Sequence, residues 1–366
     1  MSRAHNFSAG PAILPLEVLS EISEALPNFN QTGLGLMEMS HRSPAFDGII
    51  NSAKERLARI LNIPEGYEIL FLQGGASLQF YMTALNLLLP SDSADYINTG
   101  TWSTKAIKEV NRIATARSVW DPDNGVFNSV PSADQFHSNP ESVYLHYTSN
   151  NTIYGTQFHY VPQGNDRIIA DLSSDICSRP IDVSKHAVIY AGAQKNLGPS
   201  GVTAVILSPW AVERSAEVNA TIKGGLPSML NWKLMVEKNS MFNTPNTFGI
   251  FALERMLAWV ERQGGLEQIY AQNKSKADLL YSELDSSDFW LPHAKKDSRS
   301  IMNITWRLAN EELEKRFIQE ADQLNLKNLK GHRSVGGIRA SIYNACPMES
   351  VEALVAFMKN FAAKNG

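Results

Sequence analysis

The sequence predicts an α/β fold, in which a mainly parallel sheet is flanked by helices and followed by a smaller α+β domain. Short, continuously apolar segments such as residues 69–72 and 202–207 alternate with segments of helical spacing. Strands of this kind, separated by helices, are typical of a parallel sheet that is buried on both faces. Beyond residue 242 the strands become fewer and the helices longer, which indicates the second domain.

The individual elements follow from apolar periodicity and from turn residues. Six strands are predicted for the sheet, at residues 69–72, 95–98, 142–147, 167–170, 187–190 and 202–207. Helices are predicted at 78–89, 102–114, 248–262, 266–284, 310–324 and 348–363, with further strands at 301–306 and 337–342. The change in texture places a domain boundary near Gly264. We therefore predict a large domain over residues 16–263.

Composition excludes several classes of protein. The chain has 366 residues, 19% of them charged, with a net charge of −4, so no basic field would attract nucleic acid. No apolar segment approaches the ~18 residues that a membrane span needs. We see no signal peptide, and the two cysteines form neither a CxxC pair nor a disulfide framework. These features predict a cytoplasmic protein without a metal site.

Lys195 is the first candidate catalytic residue. It lies among small and polar residues between the apolar segments 187–190 and 202–207. Desolvation between two core strands would lower the pKa of its amine and make it a nucleophile, as a Schiff-base lysine requires. The alternative is a surface hairpin with a solvated lysine.

Other candidates also follow strand ends, where the ligands of parallel sheets bind. The turn Gly74-Gly75-Ala76-Ser77 precedes a helix and suits a phosphate, although most Gly-Gly pairs are simple turns. It matches neither GxGxxG nor the P-loop, so it indicates neither a dinucleotide nor a nucleoside triphosphate. Asp171 either caps a helix or holds a cationic group such as a pyridine nitrogen.

Trp102 follows another strand end, and it could stack on a flat ring or pack in the core. Residues 150–156 (NNTIYGT) form a polar loop, which is either an ordinary turn or a set of donors over a ligand. His41-Arg42 and the segment 331–339 (GHRSVGGIR) supply cations suited to carboxylate and phosphate. A doubly anionic substrate would use both. A lysine, an acid, a stacking aromatic and a phosphate turn are together what pyridoxal 5′-phosphate requires.

Motifs along nearly the whole chain resemble the phosphoserine aminotransferase family, which belongs to the class V, fold-type I pyridoxal-phosphate enzymes. They include NFSAGPA at 6–12, FLQGGAS at 71–77, TGTWS at 99–103, YAGAQKN at 190–196 and GHRSVGGIRAS at 331–341. The resemblance implies a seven-stranded sheet in the large domain. It also implies that residues 1–15 join residues 264–366 in the small domain.

The resemblance assigns roles to individual residues. Lys195 would carry the cofactor, Asp171 would keep its ring nitrogen protonated, and Trp102 would stack on its ring. Thr152 and Gln194 match polar contacts to the cofactor, and Ala76 and Ser77 match its phosphate turn. Some members carry Gly-Arg at that turn, so here the phosphate would depend more on backbone N–H groups. Substrate-binding positions match Arg42, His332, Arg333 and Arg339, with His41 beside them.

Asn243 and Thr244 match residues that reach the cofactor phosphate from a neighbouring subunit, which implies a homodimer with shared active sites. The implied reaction is a ping-pong transamination between O-phosphoserine and 2-oxoglutarate in serine biosynthesis. Its other two reactants are 3-phosphohydroxypyruvate and glutamate. Phosphohydroxythreonine, used in pyridoxine biosynthesis by some members, is a possible second substrate.

Three alternatives stay open at this point. A class V aminotransferase for an unphosphorylated amino acid would not need two His-Arg sites. A protein that keeps the cofactor fold without turnover would not need both Lys195 and Asp171. A nicotinamide dehydrogenase would require the GxGxxG motif, which the sequence lacks.

Overall fold

A computed structural model describes residues 3–366. The strands along the chain are β1 His5–Asn6, β2 Glu68–Leu72, β3 Ser93–Ile97, β4 Thr115–Trp120, β5 Leu145–Thr148, β6 Asn150–Asn151, β7 Thr156–Gln157, β8 Ile168–Asp171, β9 His186–Gly192, β10 Thr203–Leu207, β11 Leu291–Pro292, β12 Asn303–Arg307, β13 Leu326–Lys327 and β14 Ile338–Ser341. The central feature is a seven-stranded sheet with the order β2-β10-β9-β8-β5-β3-β4. Within the seven-stranded sheet, only β10 runs antiparallel to its neighbours, which are β2 and β9. The predicted α/β class with a mainly parallel, seven-stranded sheet is therefore confirmed.

Helices cover both faces of this sheet. The helices along the chain are α1 Leu16–Ala25, α2 Pro44–Leu61, α3 Gly75–Leu87, α4 Thr101–Val110, α5 Pro209–Thr221, α6 Trp232–Glu237, α7 Thr247–Arg262, α8 Gly265–Leu284, α9 Glu311–Gln323 and α10 Met348–Asn365. Successive strand residues point to opposite faces. Accordingly Ile69 and Phe71 of β2 pack with α1, α2 and α7, whereas Leu70 and Leu72 pack with α3 to α6. Among residues 3–366, no helix has the length and apolar character needed to cross a bilayer.

One strand of the sheet, β4, is missing from the sequence prediction. It pairs only with β3, at the edge of the sheet, and all of its residues are at least partly exposed. An edge strand that includes Arg117 and Ser118 lacks the continuous apolar character that identifies buried strands.

The C-terminal part forms a second layer around the antiparallel sheet β11-β12-β14. Helices α8, α9 and α10 surround a core that includes Phe317, Trp290 and Trp306. Phe7 and Ile13 from the N-terminal segment belong to the same core, and β1 pairs with β13. Helix α8 contributes Ile269 to the core of the large sheet and Leu280 to this one. The domain boundary near Gly264 remains a prediction.

Candidate active site

A cavity of about 340 Å³ lies where the carboxyl ends of β5 and β8 meet the loop after β9 and the start of α3. It brings together residues that are far apart in the sequence but follow neighbouring strands, as expected for a parallel sheet. The predicted site residues that line it are Ala76, Ser77, Trp102, Thr152, Asp171, Gln194, Lys195, His332 and Arg339.

Lys195 lies in the loop between the antiparallel strands β9 and β10, and its side chain is partly buried at the cavity. Its Nζ donates a hydrogen bond to Thr152 Oγ1 at 2.7 Å. Burial lowers the pKa of Lys195 to about 8, although the nearby Asp171 carboxylate opposes this shift. An amine with this pKa is partly uncharged near neutral pH and can act as a nucleophile or a base. A solvated lysine in a surface hairpin does not describe this position.

Asp171 is the last residue of β8 and is only 4% exposed. Its Oδ1 accepts a hydrogen bond from the backbone N–H of Ser173 at 2.9 Å, so it closes a turn and does not cap an α-helix. Burial raises the pKa of the Asp171 carboxyl, against the hydrogen bond from Ser173. A carboxylate that is costly to ionise alone is well suited to hold a cationic group in this cavity.

The N-terminus of α3 faces the same cavity through Gly75, Ala76 and Ser77. The turn before it needs two left-handed residues, Gly74 at φ +92° and Gly75 at φ +66°. A Cβ at Gly74 would overlap the side chain of Leu78. No side chain caps this helix, so its first N–H groups are available to an anion, which the helix dipole also favours.

Several buried polar atoms at the cavity have no hydrogen-bond partner within residues 3–366. They are Trp102 Nε1, Thr148 Oγ1 and Arg339 Nε. Buried polar groups are normally paired, and unpaired ones require an explanation. A polar ligand in the cavity, anionic where it meets α3 and cationic where it meets Asp171, would satisfy this arrangement.

The basic side chains of His332 and Arg339 also line the cavity. Arg339 of β14 donates a hydrogen bond to the backbone oxygen of Thr152 at 3.3 Å, and burial lowers the pKa of its guanidinium. His332 has a lowered pKa because of burial first, and then because of Arg339, Arg333 and Lys105. This part of the cavity is therefore positively charged.

The other predicted residues lie outside this cavity. Arg42 and Arg333 are exposed and His41 is partly exposed. Asn243 borders a separate cavity beside Gly74, and the backbone oxygen of Thr244 accepts a hydrogen bond from Gln73 Nε2 at 3.4 Å. Their roles remain predictions.

The sequence analysis assigns no role to six further residues at the cavity, which are Ala9, Gly10, Phe80, Thr148, Ser173 and Ser174. Thr148 pairs in register with Asp171, and it could have been found as the last residue of its strand. Gly10 lies against the stem of Lys195, where a Cβ would be 3.5 Å from Lys195 Cγ. Such a contact between the chain terminus and the middle of the sequence leaves no local signal.

Comparison with known proteins identifies the class to which this fold and cavity belong. The family model described as aminotransferase class-V matches residues 4–354, so the chain belongs to the class-V aminotransferases, as the sequence motifs predict. The chain is similar to the phosphoserine aminotransferase of Geobacillus kaustophilus, with 50% identity over 362 residues and 99% of both chains covered. It also resembles that of Desulfotalea psychrophila, at 49% identity and 99% coverage of both. The solved phosphoserine aminotransferase of Bacillus circulans subsp. alkalophilus superposes with a TM-score of 0.94, at 46% identity, covering 100% of this chain and 99% of the other.

Proposed function

We propose that this chain is a pyridoxal-phosphate-dependent aminotransferase that exchanges an amino group between O-phosphoserine and 2-oxoglutarate. The observation that carries the proposal is that one cavity is lined by Lys195, Asp171, the uncapped N-terminus of α3 and a cationic wall formed by His332 and Arg339. The similar proteins of Geobacillus kaustophilus and Desulfotalea psychrophila are both named phosphoserine aminotransferase, and each match covers 99% of both chains.

The residues that line the cavity suit the chemical groups of pyridoxal phosphate. The N–H groups at Ala76 and Ser77 would bind its phosphate, with no arginine at this turn, and Asp171 would pair with its ring nitrogen. Trp102 would lie against its ring, and Thr152 and Gln194 would bind its polar substituents. The unpaired Thr148 Oγ1 and Trp102 Nε1 give this group two further possible partners. When bound, pyridoxal phosphate supplies an electron sink for the carbanion at the substrate Cα.

The protein's own groups then handle charge and protons. Lys195, held through its amine by Thr152 Oγ1, would take the proton from the substrate Cα and later return it. Because the pKa of Lys195 is about 8, its amine can both accept and release a proton near neutral pH. Asp171 would keep a proton on the ring nitrogen, because a buried carboxylate is stabilised by an adjacent cation.

Substrate binding would use the cationic wall. Arg339 contacts Thr152, which in turn contacts Lys195, so Arg339 lies beside the position of the reacting carbon. It would bind the carboxylate that all four reactants share, through the planar fork that suits carboxylates. His332 and Arg333 would bind the second anionic group of the substrate, which is the phosphate of phosphoserine or the side-chain carboxylate of glutamate. In the cell, the net reaction would run toward phosphoserine.

A homodimer would complete each site. The segments that carry His41, Arg42, Asn243 and Thr244 also expose apolar side chains, with Met37 69% exposed, Leu34 55% and Phe242 41%. Exposed apolar side chains of this kind favour coverage by a partner. We propose that these segments reach the cavity of a second copy.

Both cysteines are buried and unpaired, which favours a reducing compartment such as the cytoplasm.

The direct test is the visible absorbance of the purified protein, before and after O-phosphoserine is added without any keto acid. We expect a yellow protein whose colour fades with phosphoserine but not with serine. A yellow protein that does not respond to phosphoserine would contradict the substrate but not the cofactor. A protein that stays colourless after incubation with pyridoxal phosphate would contradict the cofactor as well.

A further inference from the structure

Lys105 is an exposed lysine of α4 that none of the predicted roles includes. It follows Trp102 by three residues, so the two side chains lie on the same face of the helix. Its Nζ lies 4.6 Å from the centroid of the Trp102 ring, a distance typical of a cation–π contact. Trp102 lines the cavity, and it therefore holds the Lys105 ammonium close to the cavity rim.

Lys105 is one of three cationic side chains grouped around His332. Together with Arg333 and Arg339 it contributes to the lowered pKa of His332, which places its charge close to that histidine. Within residues 3–366, none of these three cations forms an ion pair with an acidic side chain. Like charges that are gathered without a counter-charge repel one another, and an anionic ligand relieves this repulsion.

Depth separates these three cations into two groups. Arg339 is largely buried and contacts Thr152, beside the amine of Lys195. Lys105 and Arg333 are exposed. A substrate with its Cα at Lys195 would present its carboxylate to Arg339, and its side chain would extend toward the exposed cations.

We propose that Lys105 is a specificity-determining residue, which binds the distal phosphate of the substrate together with His332 and Arg333 while Trp102 holds its side chain in place. This inference rests on the proposed function and adds a residue to it. A dianionic phosphate gains more from an additional ammonium group than the single carboxylate of the glutamate side chain does.

The test compares Lys105→Gln with Lys108→Gln in the cofactor-loaded protein. Lys108 is an exposed lysine one turn further along α4, and it has no cation–π contact with Trp102. For Lys105→Gln we expect the KM for O-phosphoserine to rise roughly threefold to tenfold, as for loss of one exposed charge contact. The KM for glutamate should change less than twofold and kcat should stay unchanged. Lys105→Arg should restore most of the lost affinity, and Lys108→Gln should behave as the unmodified protein.

A binding measurement makes the result independent of turnover. 3-Phosphoglycerate carries the carboxylate and the phosphate but has no amino group to transfer, and calorimetry would measure its Kd. We expect weaker binding by Lys105→Gln only, with a smaller dependence on salt concentration. Equal Kd and KM values for Lys105→Gln and Lys108→Gln would overturn the proposal for Lys105. An equal loss for phosphoserine and glutamate would overturn the assignment to phosphate. If the unmodified protein did not transaminate phosphoserine, the proposed function would fail, and the Kd values would still decide whether Lys105 binds phosphate.

Discussion

Lys195 and Thr152 form a hydrogen bond of 2.7 Å between the amine Nζ and the hydroxyl Oγ1, although 43 residues separate them in the sequence. The contact holds the amine end of the lysine side chain in place inside the cavity. Thr152 also accepts a hydrogen bond from Arg339 through its backbone oxygen. A single residue therefore contacts both the reactive amine and the guanidinium proposed to bind the substrate.

The rate at which the cofactor-free protein combines with pyridoxal phosphate should follow the free amine of Lys195. Burial lowers its pKa to about 8, so the uncharged fraction rises with pH until about 8 and is nearly constant above it. The rate should therefore rise about tenfold per pH unit below that value and level off above it. Stopped-flow absorbance would measure this profile. A rate that kept rising up to the ordinary lysine range would contradict the shift, and Lys195→Ala should abolish both the colour and the turnover.

Asp171→Asn should reduce kcat by roughly 10²- to 10³-fold, as for loss of one electrostatic contact in a transition state. The amide has nearly the same shape but cannot keep a proton on a ring nitrogen. Since burial already raises the pKa of this carboxyl, ionised Asp171 costs free energy in the cofactor-free protein. The cofactor-free variant should therefore be at least as stable as the unmodified protein in urea unfolding. Unchanged kcat would remove Asp171 from the mechanism, whereas lost stability would point to a mainly structural role.

The sequence predicts the parts of this molecule that depend on local pattern. Strands β2, β8 and β9 contain the continuously apolar segments 69–72, 168–170 and 187–191, and residues at or just after the ends of these segments could be identified as site candidates. Strand β4 could not be recognised in this way, because an edge strand has polar residues on it. The contact of Gly10 with Lys195 and the cation–π contact of Lys105 depend on how distant elements pack, which no local pattern contains.

Arg339→Leu should raise the KM for both phosphoserine and glutamate. The buried guanidinium would bind the carboxylate that both share, and loss of a charged hydrogen-bonded partner costs about 2–5 kcal/mol. Steady-state kinetics with each substrate would measure the effect, and Arg339→Lys should recover only part of it because lysine lacks the bidentate fork. A defect confined to phosphoserine would assign Arg339 to the phosphate.

Two inactive variants should restore each other if Arg42 serves the cavity of the partner subunit. Lys195→Ala lacks the reactive amine, and Arg42→Leu lacks the guanidinium that would bind the substrate. When the two chains are co-expressed, half of the dimers are hybrids, and each hybrid contains one site with both residues intact. Activity at low phosphoserine should then return to roughly a quarter of that of the unmodified protein. If Arg42 served its own subunit, no hybrid site would be intact and the mixture would stay inactive. Size-exclusion chromatography would verify that dimers form.

Phe317→Ala should destabilise the C-terminal layer without touching the cavity. Phe317 is fully buried, and its ring meets Trp290 and Trp306 edge-on, with centroid distances of 5.9 Å and 6.1 Å. Removing a buried phenyl ring costs about 3–5 kcal/mol, because the surrounding side chains do not refill the space. Leu324→Ala is the matched control, since Leu324 is 59% exposed at the end of α9 and should change the free energy of unfolding by less than about 0.5 kcal/mol. Urea unfolding followed by tryptophan fluorescence would compare them, and similar midpoints for the two variants would show that this aromatic cluster does not limit stability.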